Sequence, residues 1–130
     1  MSLNAIRRFL LHPDCIIFVG SGLSMWSGLP SWSGLLHDLA NHLDAEGLSS
    51  ALVRREIGNR DLLQAASYGV SKLTPTSFGT FMRRATHLGA AVPHAIHEAL
   101  VKLGPTSFIT TNYDTLIEQA LSRWRPETYF

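Results

Sequence analysis

Three clusters of small, hydroxylated and amide side chains in this sequence have the types and spacing to do chemistry. The first is Val19-Gly20-Ser21-Gly22-Leu23-Ser24, directly after the apolar run Cys15-Ile16-Ile17-Phe18-Val19. A strand that passes through Gly-x-Gly into a helix turns free backbone N–H groups toward a positive helix end, an arrangement that suits a diphosphate. Gly20 and Gly22 allow a tight turn and a close approach of backbone to phosphate oxygens, while Ser21 and Ser24 add hydroxyls. Position 25 is methionine where the dinucleotide fingerprint has its third glycine, so an ordinary turn is the competing reading. The second cluster is Ser27-Gly28-Leu29-Pro30-Ser31-Trp32, a loop that Gly28 turns and Pro30 stiffens. Trp32 there either stacks on a flat ring or plugs the core. The third is Thr110-Thr111-Asn112-Tyr113-Asp114, after a second apolar run. Asn112 can orient a water or a ribose hydroxyl. Asp114 reads equally as a carboxylate near a developing cation and as a plain helix cap.

These residues need elements to carry them. Cys15 to Val19 has neither polar residues nor alternation and precedes a glycine, which predicts a strand buried on both faces of a parallel sheet. Ser107 to Thr111 is the second predicted strand. Ligands of open α/β sheets bind beyond the carboxyl ends of strands, so the first and third clusters fall where a ligand would sit. An amphipathic helix is expected over Ser2 to Leu11. Between the strands, helices are expected around Leu35–Leu43 (capped by Ser31 or Ser33, with His37, Asp38, Asn41 and His42 on the back face), over Leu48 to Ile57, and over Arg60 to Tyr68 with Asn59 as cap. Another should begin near Thr76 and bury Phe78, Phe81, Met82 and Ala85. A further one starts at Pro93, turns Ile96, Leu100 and Leu103 inward and stops at Gly104-Pro105. The last carries Leu116, Ile117, Ala120, Leu121 and Trp124, capped by Asp114 or by a Thr115-x-x-Glu118 box.

Composition bounds the rest. With 130 residues the chain is one domain in length. Its 11 basic and 10 acidic side chains leave a net charge of +1, without the clustered basic excess of a phosphate-backbone reader, so nucleic acid is not implied. The single cysteine, Cys15, excludes an internal disulfide and a cysteine-built zinc cluster within the chain, and its apolar surroundings predict a buried hydrophobe. No apolar stretch approaches the ~18 residues of a membrane span. Arg7 and Arg8 before Phe9-Leu10-Leu11 echo a signal peptide, but His12-Pro13-Asp14 breaks the run. A cytoplasmic protein without membrane association is expected. Two strands are too few for a doubly wound sheet, so either weaker strands hide in segments read as helical, or this chain is the N-terminal portion of a larger domain, the preferred expectation, or another domain, a partner chain or further copies of itself complete it.

Together, Gly20-Ser21-Gly22-Leu23-Ser24, Ser27-Gly28-Leu29-Pro30 and Thr110-Thr111-Asn112-Tyr113-Asp114 resemble the Gly-Ala-Gly-Ile-Ser, Ser-Gly-Ile-Pro and Thr-Gln-Asn-Ile-Asp motifs of sirtuins. Leu-Pro-Ser-Trp after the serine loop and Thr-Thr-Asn-Tyr-Asp at the third cluster are more similar to the sirtuin-like domains of bacteria that hydrolyse NAD in anti-phage defence. Pro93-His94 to Leu103 and Leu116-Ile117-Glu118-Gln119-Ala120 share that look. The resemblance spans nearly the whole chain and is weakest between Leu48 and Gly89.

The resemblance implies a partial Rossmann-like, sirtuin-type α/β fold: a parallel sheet with a large helical insertion, forming a single NAD-binding domain over residues 1–130. It implies NAD as substrate or ligand, with no metal. Gly20, Ser21, Gly22, Leu23 and Ser24 would hold the diphosphate and nearby ribose, and Leu29, Pro30, Trp32 and Thr111 would line the cofactor site. Asn112 would be the catalytic asparagine and Asp114 a contact on the nicotinamide side. The activity implied is hydrolysis of the nicotinamide–ribose bond. The family also has a catalytic histidine downstream of the asparagine motif, and no histidine follows Asp114 here. The alternative expectation is therefore a non-catalytic NAD sensor or assembly module. A protein deacylase is a third, against which stand the missing zinc cysteines and Ser31-Trp32-Ser33 in place of Asp-Phe-Arg. His94 and His97, three apart, have the spacing of a metal pair but no third ligand, and read as surface histidines.

Overall fold

The computed structural model describes residues 1–87 and 90–127. The chain is α/β and mostly helical, with one small parallel sheet. It falls into two compact units, one formed by Met1–Gly28 with the chain from Ala91 onward, the other by Leu29–Ala90. Among the described residues no helix is long and apolar enough to cross a membrane.

The first unit holds helix α1 (Leu3–Leu10), strand β1 (Ile16–Val19) and the single helical turn α2 (Ser21–Ser24), which tightens into a 3-10 turn over Met25–Ser27. The chain then leaves this unit for four helices, α3 (Trp32–Ala45), α4 (Ala51–Gly58), α5 (Leu62–Ser71) and α6 (Pro75–Ala85). The first unit resumes with α7 (Ala95–Lys102), strand β2 (Ser107–Thr110) and α8 (Leu116–Trp124). The strands pair in parallel, from Ile16 opposite Ser107 to Val19 opposite Thr110. Side chains alternate across a strand, so Ile17, Val19 and Phe108 share one face. That face packs on Val101 of α7 and on Ile117, Ala120 and Leu121 of α8, with Leu23, Leu100 and Trp124 at the margin. The other face is bare: Ile16 is 56% exposed, Phe18 66% and Ile109 48%. The expected burial on both faces is thus corrected, because α7 and α8 cover one side and no described element covers the other. Cys15 is buried, as its apolar neighbours predicted.

Helix α7 also departs from expectation. It starts at Ala95 behind the cap His94, so Pro93 precedes the helix instead of opening it. Its fully buried side chains are His97 and Val101, one turn apart, while Leu103 is exposed. Gly104, at φ +86°, ends the helix in a left-handed conformation that glycine adopts without strain.

The second unit is all-helical: α3 (Trp32–Ala45), α4 (Ala51–Gly58), α5 (Leu62–Ser71) and α6 (Pro75–Ala85). Leu36, Leu39, Ala40, Leu43, Val53, Ala65 and Phe81 form its core. Three of the four starts, all but that of α4, carry a side-chain cap. Ser31 Oγ accepts from Gly34 N–H at 3.0 Å, Asp61 Oδ1 from Gln64 N–H at 3.0 Å, and Thr74 Oγ1 from Ser77 N–H at 3.1 Å ahead of Pro75. Asn59 does not cap α5; it closes α4, and Arg60 takes φ +61° between them. His42, expected on the polar back face of α3, is buried. It stands three residues after Leu39 and so shares that residue's side of the helix, where it stacks on Phe81 and its Nε2 lies 2.9 Å from Ser77 Oγ.

Candidate functional site

The site is built at the carboxyl ends of the two strands. Thr110 Oγ1 donates to the Val19 carbonyl at 2.9 Å and accepts from Asn112 N–H at 3.0 Å, so the last residue of β2 ties its loop to the end of β1. The Asn112 side chain then reaches across. Its Nδ2 donates to the Gly20 carbonyl at 3.1 Å and to Ser24 Oγ at 2.9 Å. A carbonyl only accepts, so Gly20 fixes which end of the amide faces the first loop. Ser24 passes its own proton on, donating from Oγ to Asp114 Oδ2 at 2.7 Å. Asp114 Oδ1, one residue ahead of the cap position Thr115, accepts from Leu116 N–H at 3.0 Å and so satisfies the first free N–H of α8. The Thr115-x-x-Glu118 box does not form, since Thr115 Oγ1 instead accepts from Gln119 Nε2.

The structure thus joins the first and third clusters through the directed chain Asn112 to Ser24 to Asp114. Asp114 therefore divides its oxygens, one meeting a free N–H at the start of α8 and the other holding Ser24. Ser24 is buried within this chain, whereas Gly20, Ser21 and Gly22 are exposed. Thr111 is exposed and Leu23 half-buried against the core under the sheet. A Cβ on Gly20 or Gly22 would meet nothing within 4 Å, and Gly20 is simply extended at φ −104°. The chain's own packing therefore does not demand glycine at either position; open space lies over that backbone. The helix after Gly20 is a single turn, so it brings the first-turn N–H groups of Ser21 and Gly22 but little of the macrodipole a long helix would add.

Leu29, Pro30 and Trp32 belong to the second unit. There Leu29 is buried and Trp32 packs against the core of α3 to α6, the core-plug reading of its indole.

Against the expectation of a surface pair, His97 is fully buried, whereas His94 is exposed. His97 stands at the third position of α7, where its Nδ1 accepts from the His94 N–H at 3.0 Å, and His94 Nδ1 in turn accepts from Ile96 N–H at 3.3 Å. An Nδ1 that accepts must carry a lone pair, so the neutral ring bears its proton on Nε2. That Nε2 is buried with no hydrogen-bond partner among the described residues. Burial holds the imidazole below its ordinary titration range, and the Asp114 carboxylate acts in the opposite direction. The cap-to-third-position spacing of His94 and His97, together with Val101 one turn further on, was the signal available in the sequence. Among the described residues no group of three His, Cys, Asp or Glu side chains is placed to hold a metal ion.

A scan against models of known protein families found none that matches this chain, and a search of curated proteins found no match.

Proposed function

We propose that this chain binds NAD at the carboxyl ends of β1 and β2 and belongs to a sirtuin-like, Rossmann-type domain that hydrolyses the nicotinamide–ribose bond, in the manner of bacterial anti-phage defence enzymes. The observation that carries the reading is the chain of hydrogen bonds from Asn112 through Ser24 to Asp114, set beside the open backbone of Gly20 to Gly22. A parallel sheet with a bare apolar face and two strands supports the finer fold, since further strands or a partner would complete it.

In this reading the diphosphate lies over Gly20, Ser21 and Gly22, where no Cβ obstructs it and backbone N–H groups are available. Cleavage gives nicotinamide and, with water as acceptor, ADP-ribose and a proton, through a transition state with positive charge on the ribose. Asn112, held by the Gly20 carbonyl, orients the water or a ribose hydroxyl. The Asp114 carboxylate lies near enough to Asn112, through Ser24, to favour the cationic sugar.

The test is nicotinamide release from NAD, followed by chromatography, for the natural chain and Asn112→Ala. The expected outcome is release that the substitution lowers by about 100-fold or more while the chain stays folded. A second reading, a non-catalytic NAD sensor or assembly module, uses the same open backbone over Gly20 to Gly22 and needs no catalytic base. It predicts NAD binding that survives Asn112→Ala and no product from either chain. Absence of both binding and release from folded protein would defeat the NAD reading altogether.

A further inference from the structure

Tryptophan carries two large apolar faces that ordinarily find partners in a folded protein. Trp26 is 59% exposed, in the 3-10 turn that follows Ser24. Its ring is nevertheless held. It meets the imidazole of His94 at 5.6 Å between centroids, the planes tilted by 39°, and both residues belong to the first unit. His94 is itself fixed at two atoms. Its Nδ1 accepts from Ile96 N–H at 3.3 Å, and its backbone N–H donates to Nδ1 of the fully buried His97 at 3.0 Å. The capping box at the start of α7 thus anchors an imidazole, and the imidazole braces an indole that leaves more than half of its surface open.

The chain also sets where that surface lies. Gly20 to Gly22 present open backbone, Ser24 is bonded to Asn112 and Asp114, and Trp26 follows two residues further along the same helical turns. In the proposed function the diphosphate takes the first of these places and the nicotinamide ribose the second. The next group along the ligand is the nicotinamide ring, and the next side chain along the turn is the indole. In NAD that ring is a flat pyridinium with a positive charge, and a Trp face both stacks on a flat ring and attracts a cation within about 6 Å of its centroid. We infer that Trp26, braced by His94, is the platform for the cationic nicotinamide ring, a specificity-determining contact that favours the oxidised dinucleotide over the reduced one. The inference rests on the NAD reading of the site. When the nicotinamide–ribose bond breaks, its electron pair goes to the ring nitrogen, and the positive charge passes from the ring to the ribose. The attraction to the indole is therefore strongest in the bound substrate and fades toward the transition state, so Trp26 serves to hold NAD and not to speed its cleavage.

The full chain and four variants, Trp26→Leu, Trp26→Ala, Trp26→Phe and His94→Asn, are titrated calorimetrically with NAD, NADH and AMP, with circular dichroism to check the fold. Trp26→Leu keeps apolar bulk without a π face. It is expected to weaken NAD about tenfold and NADH about threefold or less, and to leave AMP unchanged. Trp26→Ala should repeat that pattern and decides alone if the leucine variant does not fold. Trp26→Phe should retain most of the preference for NAD. His94→Asn keeps a capping oxygen for α7 while removing the brace, and should fall between the natural chain and Trp26→Leu. Where NAD is turned over, the leucine variant should raise KM and leave kcat within about twofold. Equal NAD affinity with and without the indole overturns the inference, as does an equal loss for NAD and NADH. A loss for AMP also overturns it, since that would put adenine on the indole. A natural chain that binds none of the three ligands defeats the NAD reading and this inference with it, whereas NAD binding indifferent to residue 26 defeats the inference alone.

Discussion

Asn112, Ser24 and Asp114 show how few atoms decide this site. Each polar atom in the chain has a direction set by a neighbour that can only accept or only donate, beginning at the Gly20 carbonyl and ending at the Asp114 carboxylate. The glycines give a sharp test of what the backbone over Gly20 to Gly22 is for. Gly20→Ala should be neutral to stability, and Gly22→Ala, inside a helical turn, should be neutral or stabilising by up to about 1 kcal/mol. Both should weaken NAD binding at least tenfold, read by thermal melts beside a binding titration. Equal affinity in all three chains would move the ligand elsewhere. His97 makes a second residue-scale prediction. Its pKa is lowered in the folded chain by burial, so the unfolded chain takes up the proton first as pH falls. Stability is therefore expected to be fully present above pH ~6.5, the ordinary value for histidine, and to decline as pH drops below it. Urea unfolding between pH 7.5 and 5 should show a shallower decline for His97→Gln than for the natural chain, and identical slopes would count against a buried neutral imidazole.

At the scale of elements, α3, α5 and α6 begin where a side-chain oxygen meets a free N–H, and one boundary differs from expectation for that reason. Asp61 displaces Asn59 as the cap of α5 because Asn59 is still closing α4 and the chain must reverse through Arg60 at positive φ. Helix packing then sets rules that propensity alone would get wrong. Gly69 sits inside α5, where glycine ordinarily costs about 1 kcal/mol relative to alanine. Here a Cβ would collide with the Leu39 side chain, while meeting Val53 at ordinary contact distance. Gly69→Ala is therefore expected to destabilise the protein by about 1–3 kcal/mol, against the propensity trend. In a Leu39→Ala background the same change should be neutral or stabilising, since the obstructing methyl groups are gone. Equilibrium denaturation of the four chains in that cycle checks it.

On the scale of the whole molecule, the chain divides into a unit with a sheet and a unit without one. The helical unit has its own core, drawn entirely from residues between Leu36 and Phe81. Residues 29–90 expressed alone are expected to give a helical circular-dichroism spectrum and a cooperative thermal transition. A featureless melt would show that this core needs the rest of the chain. The sheet-bearing unit is less self-sufficient. Ile16, Phe18 and Ile109 lie uncovered on one side of two strands, and α1 has no buried residue. Parallel sheets are ordinarily covered on both faces, which is the physical content of the expectation that something further completes this one.

Period and punctuation made most of the elements legible in the sequence: an apolar run followed by glycine for β1, a short run after Gly104-Pro105 for β2, three-and-four spacing for the helices, Ser31 as a cap, Gly104 as a stop. The same local signals placed Gly20, Ser24, Asn112 and Asp114 at the carboxyl ends of strands. What lies across the chain was not legible. That Ser24 meets both Asn112 and Asp114, roughly ninety residues away in sequence, depends on β1 pairing with β2 in one register. His97 and His42 both looked like polar surface residues, since their type weighs toward solvent. Only packing turned them inward, one on the first turn of α7, the other against Phe81. Local chemistry decides which turn of backbone a residue prefers, whereas burial is a property of what arrives on the other side, and for these residues that neighbour comes from a distant part of the chain.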